Sequence, residues 1–210
     1  MKRKLLIISL ILAVFGALFY FLEWDEPLLA LIAHLRTPGF TSAMHIVAFL
    51  GTVKFLLPLN ILMIILEAKR DKWKSLQIPL GTLATWVLNS LIKNIIRRER
   101  PAISPLAKES SLSFPSGHAM VNSFFIMSLA IRYYRKRQKS FVFVLASLYI
   151  LLMCFNRLYL GVHYPSDVLI GSSLGLFLSA IFMLREVGET PQKYDASTNP
   201  SDDSPADSLS

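Results

Sequence analysis

Apolar residues run almost unbroken from Leu5 to Leu22, and five further apolar stretches follow at about 53–68, 76–92, 119–134, 141–156 and 166–184. Each is continuous where a strand would alternate, and each approaches the roughly 17–20 residues that a helix needs to cross a hydrocarbon core. Charged or Pro/Gly-containing breaks separate them. The pattern predicts an all-α membrane protein, six transmembrane helices in a bundle. The second stretch starts unevenly, at Lys54 and Pro58; a lysine near a span's end reaches the interface by extending its ammonium to water. Residues 23–52 fit neither class. Pro27 to Leu35 reads as a short interfacial helix, Pro38-Gly39 as a turn, and Thr41–Leu50 as a helical segment too short to cross alone. His34 and His45 fall in this segment and read as interfacial or packing residues. In the last stretch, Gly171 and Gly175 form a small-xxx-small pair that permits close helix approach.

Composition supports a membrane setting. The chain of 210 residues is 53% hydrophobic and 17% charged, with a mean hydropathy of +0.49, too little polar surface for a water-soluble domain. Residues 186–210 hold six acids against one base and have little to bury, which predicts a disordered acidic tail after a six-span domain at 1–185. The rest of the chain is strongly basic, but its cations punctuate apolar runs instead of forming a stripe, so nucleic acid is not the expected partner. Under a six-span topology, fourteen Lys and Arg residues fall on one side, with both termini, and eight on the other. The first side is therefore expected to be cytoplasmic. Met1-Lys2-Arg3-Lys4 before the first stretch resembles a signal peptide, but the 18 apolar residues and the lack of a small-x-small cleavage site favour an uncleaved span. Cys154, the single cysteine, lies in an apolar run and reads as packing.

Five of the eight outer cations, Lys93, Arg97, Arg98, Arg100 and Lys108, crowd into one loop and its border, against the usual bias. Anion binding is a local reason for them. Three blocks on that side carry chemistry: Lys93 to Pro101, Phe114-Pro115-Ser116-Gly117-His118, and Asn156 to Asp167. Phosphoryl transfer needs positive charge and donors around the equatorial oxygens. Lys93, Arg100 and Arg157 can supply these, the arginines as planar forks suited to two phosphate oxygens. Ser116 and Gly117 stand where a loop enters a helix, a place where backbone N–H groups face an anion. His163 and Asp167 are one helical turn apart, so the carboxylate can hold one imidazole nitrogen and leave the other free to attack phosphorus. His118 can then act as acid and base.

Singly, each block has an ordinary reading as an interfacial anchor, a turn or a helix cap. A Ser116 nucleophile lacks a Gly-x-Ser-x-Gly elbow. A metal on His118, His163 and Asp167 would sit among repelling cations. A non-catalytic lipid-phosphate transporter or sensor is the alternative of another class, although transporters place charges at the midplane and these lie at span ends.

Together, Lys-x6-Arg-Pro, Pro-Ser-Gly-His and Arg-x5-His-x3-Asp resemble the three-part signature of the type 2 phosphatidic acid phosphatase superfamily, over residues 93–167. The resemblance implies a bacterial plasma-membrane enzyme with its site on the outer face. It implies that Lys93, Arg100, Ser116, Gly117 and Arg157 bind phosphate, that His118 is the acid/base, His163 the nucleophile and Asp167 its partner. It also implies no metal or other cofactor, and a phosphohistidine intermediate. The substrate class it implies is a membrane lipid phosphate: phosphatidylglycerol phosphate, phosphatidic acid or undecaprenyl diphosphate. Nothing points to an obligatory protein partner. One position departs: Asn156 stands where the family usually has Ser, an amide that can still donate to phosphate or to backbone.

Overall fold

A computed structural model describes residues 1–69, 71–103 and 105–183. The expected tail at 186–210 lies outside the described residues, as do three of the fourteen cations expected on the cytoplasmic side, Arg70, Arg185 and Lys193. The described residues form eight helices and no strand: α1 (Lys2–Phe21), α2 (Asp25–Ala33), α3 (Pro38–Leu50), α4 (Val53–Ala68), α5 (Lys72–Ile96), α6 (Gly117–Arg137), α7 (Phe141–Tyr159) and α8 (Pro165–Met183). The six apolar stretches become α1 and α4 to α8, and the ambiguous 23–52 segment becomes the two short helices.

Three of these helices, α1, α7 and α8, are long and apolar enough to cross a membrane. The α3–α4 pair, bent by 42° at Gly51-Thr52, makes a fourth if it counts as one span. α5 and α6 have the length, 25 and 21 residues, but are more polar than the six-span reading assumed. The reason for α6 is its place. Every residue from Ala119 to Phe125 is buried, and a helix ringed by other helices needs no apolar coat for lipid.

α8 packs between α1 and α6, and α6 also meets α5 and α7. The Gly171/Gly175 pair faces α6. A Cβ on Gly171 would come within 2.8 Å of the Ser116 carbonyl oxygen, and one on Gly175 would meet the Met120 carbonyl. Lipid tails are as apolar as leucine, so helices in a bilayer gain mainly from such close contact. Ser173 Oγ donates to the Ser9 carbonyl at 2.7 Å, joining α8 to α1. At the end remote from the three motif blocks, Arg132 of α6 pairs with Glu67 of α4 at 2.5 Å.

α2 and α3 are fastened to the end of α7. Thr37 N and Thr41 Oγ1 each lie 3.0 Å from the Tyr159 hydroxyl, and Arg36 Nε donates to the Tyr159 carbonyl at 2.9 Å. Tyr159 itself is fully buried, with Ile32, Met44, Leu160 and Val162 around it.

Candidate active site

The three motif blocks meet at one end of the bundle. Lys93 is in the last turn of α5. The helix stops at Arg97, which takes a left-handed φ of 53° and turns the chain back so that Arg98 reaches α8 and Arg100 reaches Val162 and His163 just before it. His118 is in the first turn of α6, Arg157 in the last turn of α7, and Asp167 in the first turn of α8. A cavity of about 290 Å³ is lined by Lys93, Arg100, Gly117, His118 and His163, together with Glu109, Ser111, Asn89 and Trp86. The α3–α4 corner at Gly51 closes one side, where a Cβ would lie 2.5 Å from the His118 ring.

His163 is 1% exposed. Its Nδ1 lies 3.5 Å from Asp167 Oδ2 and 3.3 Å from Ser113 Oγ, and the Ser113 hydroxyl also donates to Asp167. Its Nε2 lies 3.2 Å from Arg100 Nη1. An Nδ1–H tautomer fits this arrangement, with the proton toward Ser113 and the carboxylate and the Nε2 lone pair facing Arg100 Nη1, on a ring that lines the cavity. Burial, and then the charges of Arg157, Arg100 and Lys93, hold the imidazole well below its ordinary pKa, so the ring is neutral. A neutral ring is the form that can attack phosphorus.

Asp167 is fully buried and accepts on both oxygens. Arg98 Nη1 donates to Oδ1 at 2.7 Å, while the Tyr164 amide donates to Oδ2 at 3.0 Å and Ser113 shares that oxygen. His118 Nε2 lies 3.3 Å from the Ala48 carbonyl of α3. Lys93 Nζ donates to the Leu112 carbonyl and, at 3.2 Å, to that of Ser113, so it also shapes the loop before α6.

Three candidates lie off the cavity wall, Asp167 with Ser116 and Arg157. Ser116 Oγ caps α6, 3.5 Å from the Ala119 amide, and its own N–H donates to the Asp167 carbonyl at 3.1 Å. Arg157 is 1% exposed and ion-paired with Glu109, and its Nε has no hydrogen-bond partner among the described residues. Asn156 Nδ2 donates to the Met44 carbonyl at 2.5 Å, so the amide serves backbone, tying α7 to α3. His34 and His45 are exposed and apart from the cavity lining.

Sequence reasoning missed four participants: Glu109, Ser113, Asp25 and a paired role for Arg98. Glu109 bridges Arg157 and, at 3.9 Å, Arg100. Its signal was weak, one of two acids, with Glu99, in a basic loop. Asp25 had a stronger one, an ionisable group opening an apolar segment. Among the described residues no group of three metal-ligating His, Cys, Asp or Glu side chains converges.

A family model described as the PAP2 superfamily matches residues 74–189. The chain is 33% identical over 181 residues to phosphatidylglycerophosphatase B of Bacillus subtilis, covering 81% of this chain and 86% of that protein. It is 24% identical over 184 residues to an undecaprenyl-diphosphatase of Sulfolobus acidocaldarius, covering 83% and 86%. Among solved structures it resembles a transmembrane PAP2-type phosphatidylglycerolphosphate phosphatase from Bacillus subtilis. The TM-score is 0.76 at 32% identity, over 86% of this chain and 93% of that one. Aquifex aeolicus LpxE follows with a TM-score of 0.61 at 26% identity, over 77% and 94%.

Proposed function

We propose, from the premise that this chain belongs to the PAP2 superfamily, that it is an integral membrane phosphatase acting on a lipid phosphate through a phosphohistidine at His163. The observation that carries this reading is the orientation of His163: Nδ1 against Asp167 and Nε2 beside Arg100 Nη1, on a ring that lines one cavity with His118, Lys93 and Arg100.

In the first step His163 Nε2 bonds to phosphorus and the phosphorus–oxygen bond to the lipid breaks, while His118 gives its proton to the leaving oxygen. Lys93 and Arg100, on the cavity wall, balance the charge that spreads over the phosphoryl oxygens, and Arg157, behind Glu109, joins them as the anion displaces that carboxylate. Asp167 stabilises the charge gained by the imidazole. In the second step His118 takes a proton from water, which attacks the phosphohistidine, releasing phosphate and the neutral imidazole. Fixed cations supply the electrostatic work, so the reaction as proposed requires no metal.

The substrate class extends from the relatives, two of which are named for phosphatidylglycerol phosphate and for undecaprenyl diphosphate. We further propose six crossings, with the cavity on the outer face, both termini cytoplasmic, a catalytic unit at 1–185 and a dispensable tail at 186–210.

The test is phosphate release by the detergent-purified protein from phosphatidylglycerol phosphate, phosphatidic acid and undecaprenyl diphosphate in excess EDTA. Activity should persist, and His163→Ala should lower it by about 10³-fold or more while abolishing the phosphoenzyme. His118→Ala should also fail on lipid esters but retain a partly rescued first step on p-nitrophenyl phosphate, whose leaving group needs little protonation. Turnover that survives in His163→Ala, or that vanishes in EDTA and returns with Mg²⁺, would overturn the mechanism.

A further inference from the structure

We propose that Asp25, at the start of α2, positions the Asp167 carboxylate through Arg98 and thereby sets the rate of the step at His163; this rests on the phosphatase reading above. The three groups form a buried chain. Arg98 Nη2 lies 2.7 Å from Asp25 Oδ2, and Arg98 Nη1 lies 2.7 Å from Asp167 Oδ1. Their side chains are 7%, 17% and 0% exposed in the order Asp25, Arg98, Asp167. Tyr164 stacks on the guanidinium at 4.0 Å and Tyr20 of α1 approaches at 5.1 Å, which shields it from solvent.

Ser166 fastens the same three groups together. Its amide donates to Asp25 Oδ1 at 2.8 Å, its hydroxyl to Asp25 Oδ2 at 2.5 Å, and its oxygen also receives Arg98 Nη1 at 2.7 Å. Asp25 thus meets the backbone immediately before Asp167. A guanidinium is a rigid fork, so holding one arm fixes the direction of the other. With Nη2 held by Asp25, Nη1 presents itself to Oδ1 of Asp167, and Oδ2 is turned toward His163.

Two consequences reach the chemistry. The His163–Asp167 separation of 3.5 Å is long for a hydrogen bond, so a small rotation of the carboxylate decides whether it closes as the imidazole becomes charged. Asp25 also shares the guanidinium's charge. Without it, Arg98 would draw on Asp167 alone and weaken that carboxylate as a partner for the imidazolium. The imidazolium charge appears only as phosphorus is attacked, so the loss falls on kcat and spares KM. Asp25 does not line the cavity and is a positioning residue, not a catalytic one.

The experiment measures kcat and KM for phosphatidic acid hydrolysis in mixed micelles by the full-length wild type, Asp25→Asn, Asp25→Glu, Arg98→Gln and the Asp25→Asn/Arg98→Gln double variant. Asp25→Asn should lower kcat about tenfold with KM within about twofold, the scale typical of groups that orient a reacting partner. Asp25→Glu, which keeps the charge, should recover most of the loss. In the Arg98→Gln background, Asp25→Asn should change kcat less than about twofold, because the connecting fork is gone. An Asp25→Asn enzyme at wild-type kcat, or an equal loss in both backgrounds, would make Asp25 merely an anchor for α2 and overturn the proposal. If Asp25→Asn does not fold, Arg98→Lys decides. It keeps the charge without the fork, and a wild-type kcat there would equally overturn it. A wild type that releases no phosphate from any lipid would instead sink the phosphatase reading, and so would an active His163→Ala.

Discussion

Glu109 stands between two guanidiniums on the cavity wall, so an incoming phosphate has to compete with it. Burial alone would raise its pKa, yet Arg157 and Arg100 hold the carboxyl below the usual range, so it is ionised. In this state it satisfies Arg157, whose buried charge would otherwise be uncompensated. Glu109→Gln removes the competitor and keeps the shape. Inorganic phosphate or vanadate should then inhibit about three- to tenfold more tightly, as a change of about 1 kcal/mol in one charge pair implies. An unchanged inhibition constant would show that Glu109 stays in place when the anion binds.

The pairing of α6 with α8 brings His118 to the same cavity as His163 and sets Asp167 behind it, and this pairing depends on two glycines. At Gly175 an added Cβ would meet the Met120 carbonyl, backbone that cannot swing aside as a flexible side chain would. Gly175→Val should therefore force the helices apart and destabilise by about 2–3 kcal/mol, lowering Tm in detergent by roughly 5–10 °C. Activity should fall with it, because the separation of the two histidines changes. Gly39 offers the matched comparison, since a Cβ there meets nothing within 4 Å. If Gly175→Val melts together with Gly39→Ala, close packing is not what holds α6 to α8.

For the molecule as a whole, the proposed orientation rests on the distribution of charge. The basic end of α6, with Arg135, Lys136 and Arg137, lies at the opposite end of that helix from His118. The proposed topology puts that end in the cytoplasm, where positive loops are retained, and puts the cation-rich loop before α6 outside. Single cysteines at Lys108→Cys and Lys136→Cys, both exposed positions, in a Cys154→Ser background should react with an impermeant maleimide from opposite sides of intact cells. Labelling of both from the same side would refute the six-crossing arrangement.

Apolar run length was enough to locate helices, because backbone satisfaction in lipid leaves a long apolar segment few alternatives to a helix. The stretches 53–68 and 141–156 begin where α4 and α7 begin, and the gathering of His118, His163 and Asp167 at one end of the bundle was legible because helix periodicity and motif spacing are local. Span count was not settled by run length, since α5 and α6 have the length but not the apolar coat that marks a crossing. The positions of Ser116 and Asn156 needed the fold, because a hydroxyl or amide serves whichever acceptor or donor the packing offers: α6's own first turn for one, the Met44 carbonyl for the other. Asp25 and Glu109 needed it most. Their partners are distant in sequence, and long-range ion pairs carry no periodic or local signature. Chain closure alone brings α2 against α8 and the 101–116 loop against α7, and with them the carboxylates that Arg98 and Arg157 require.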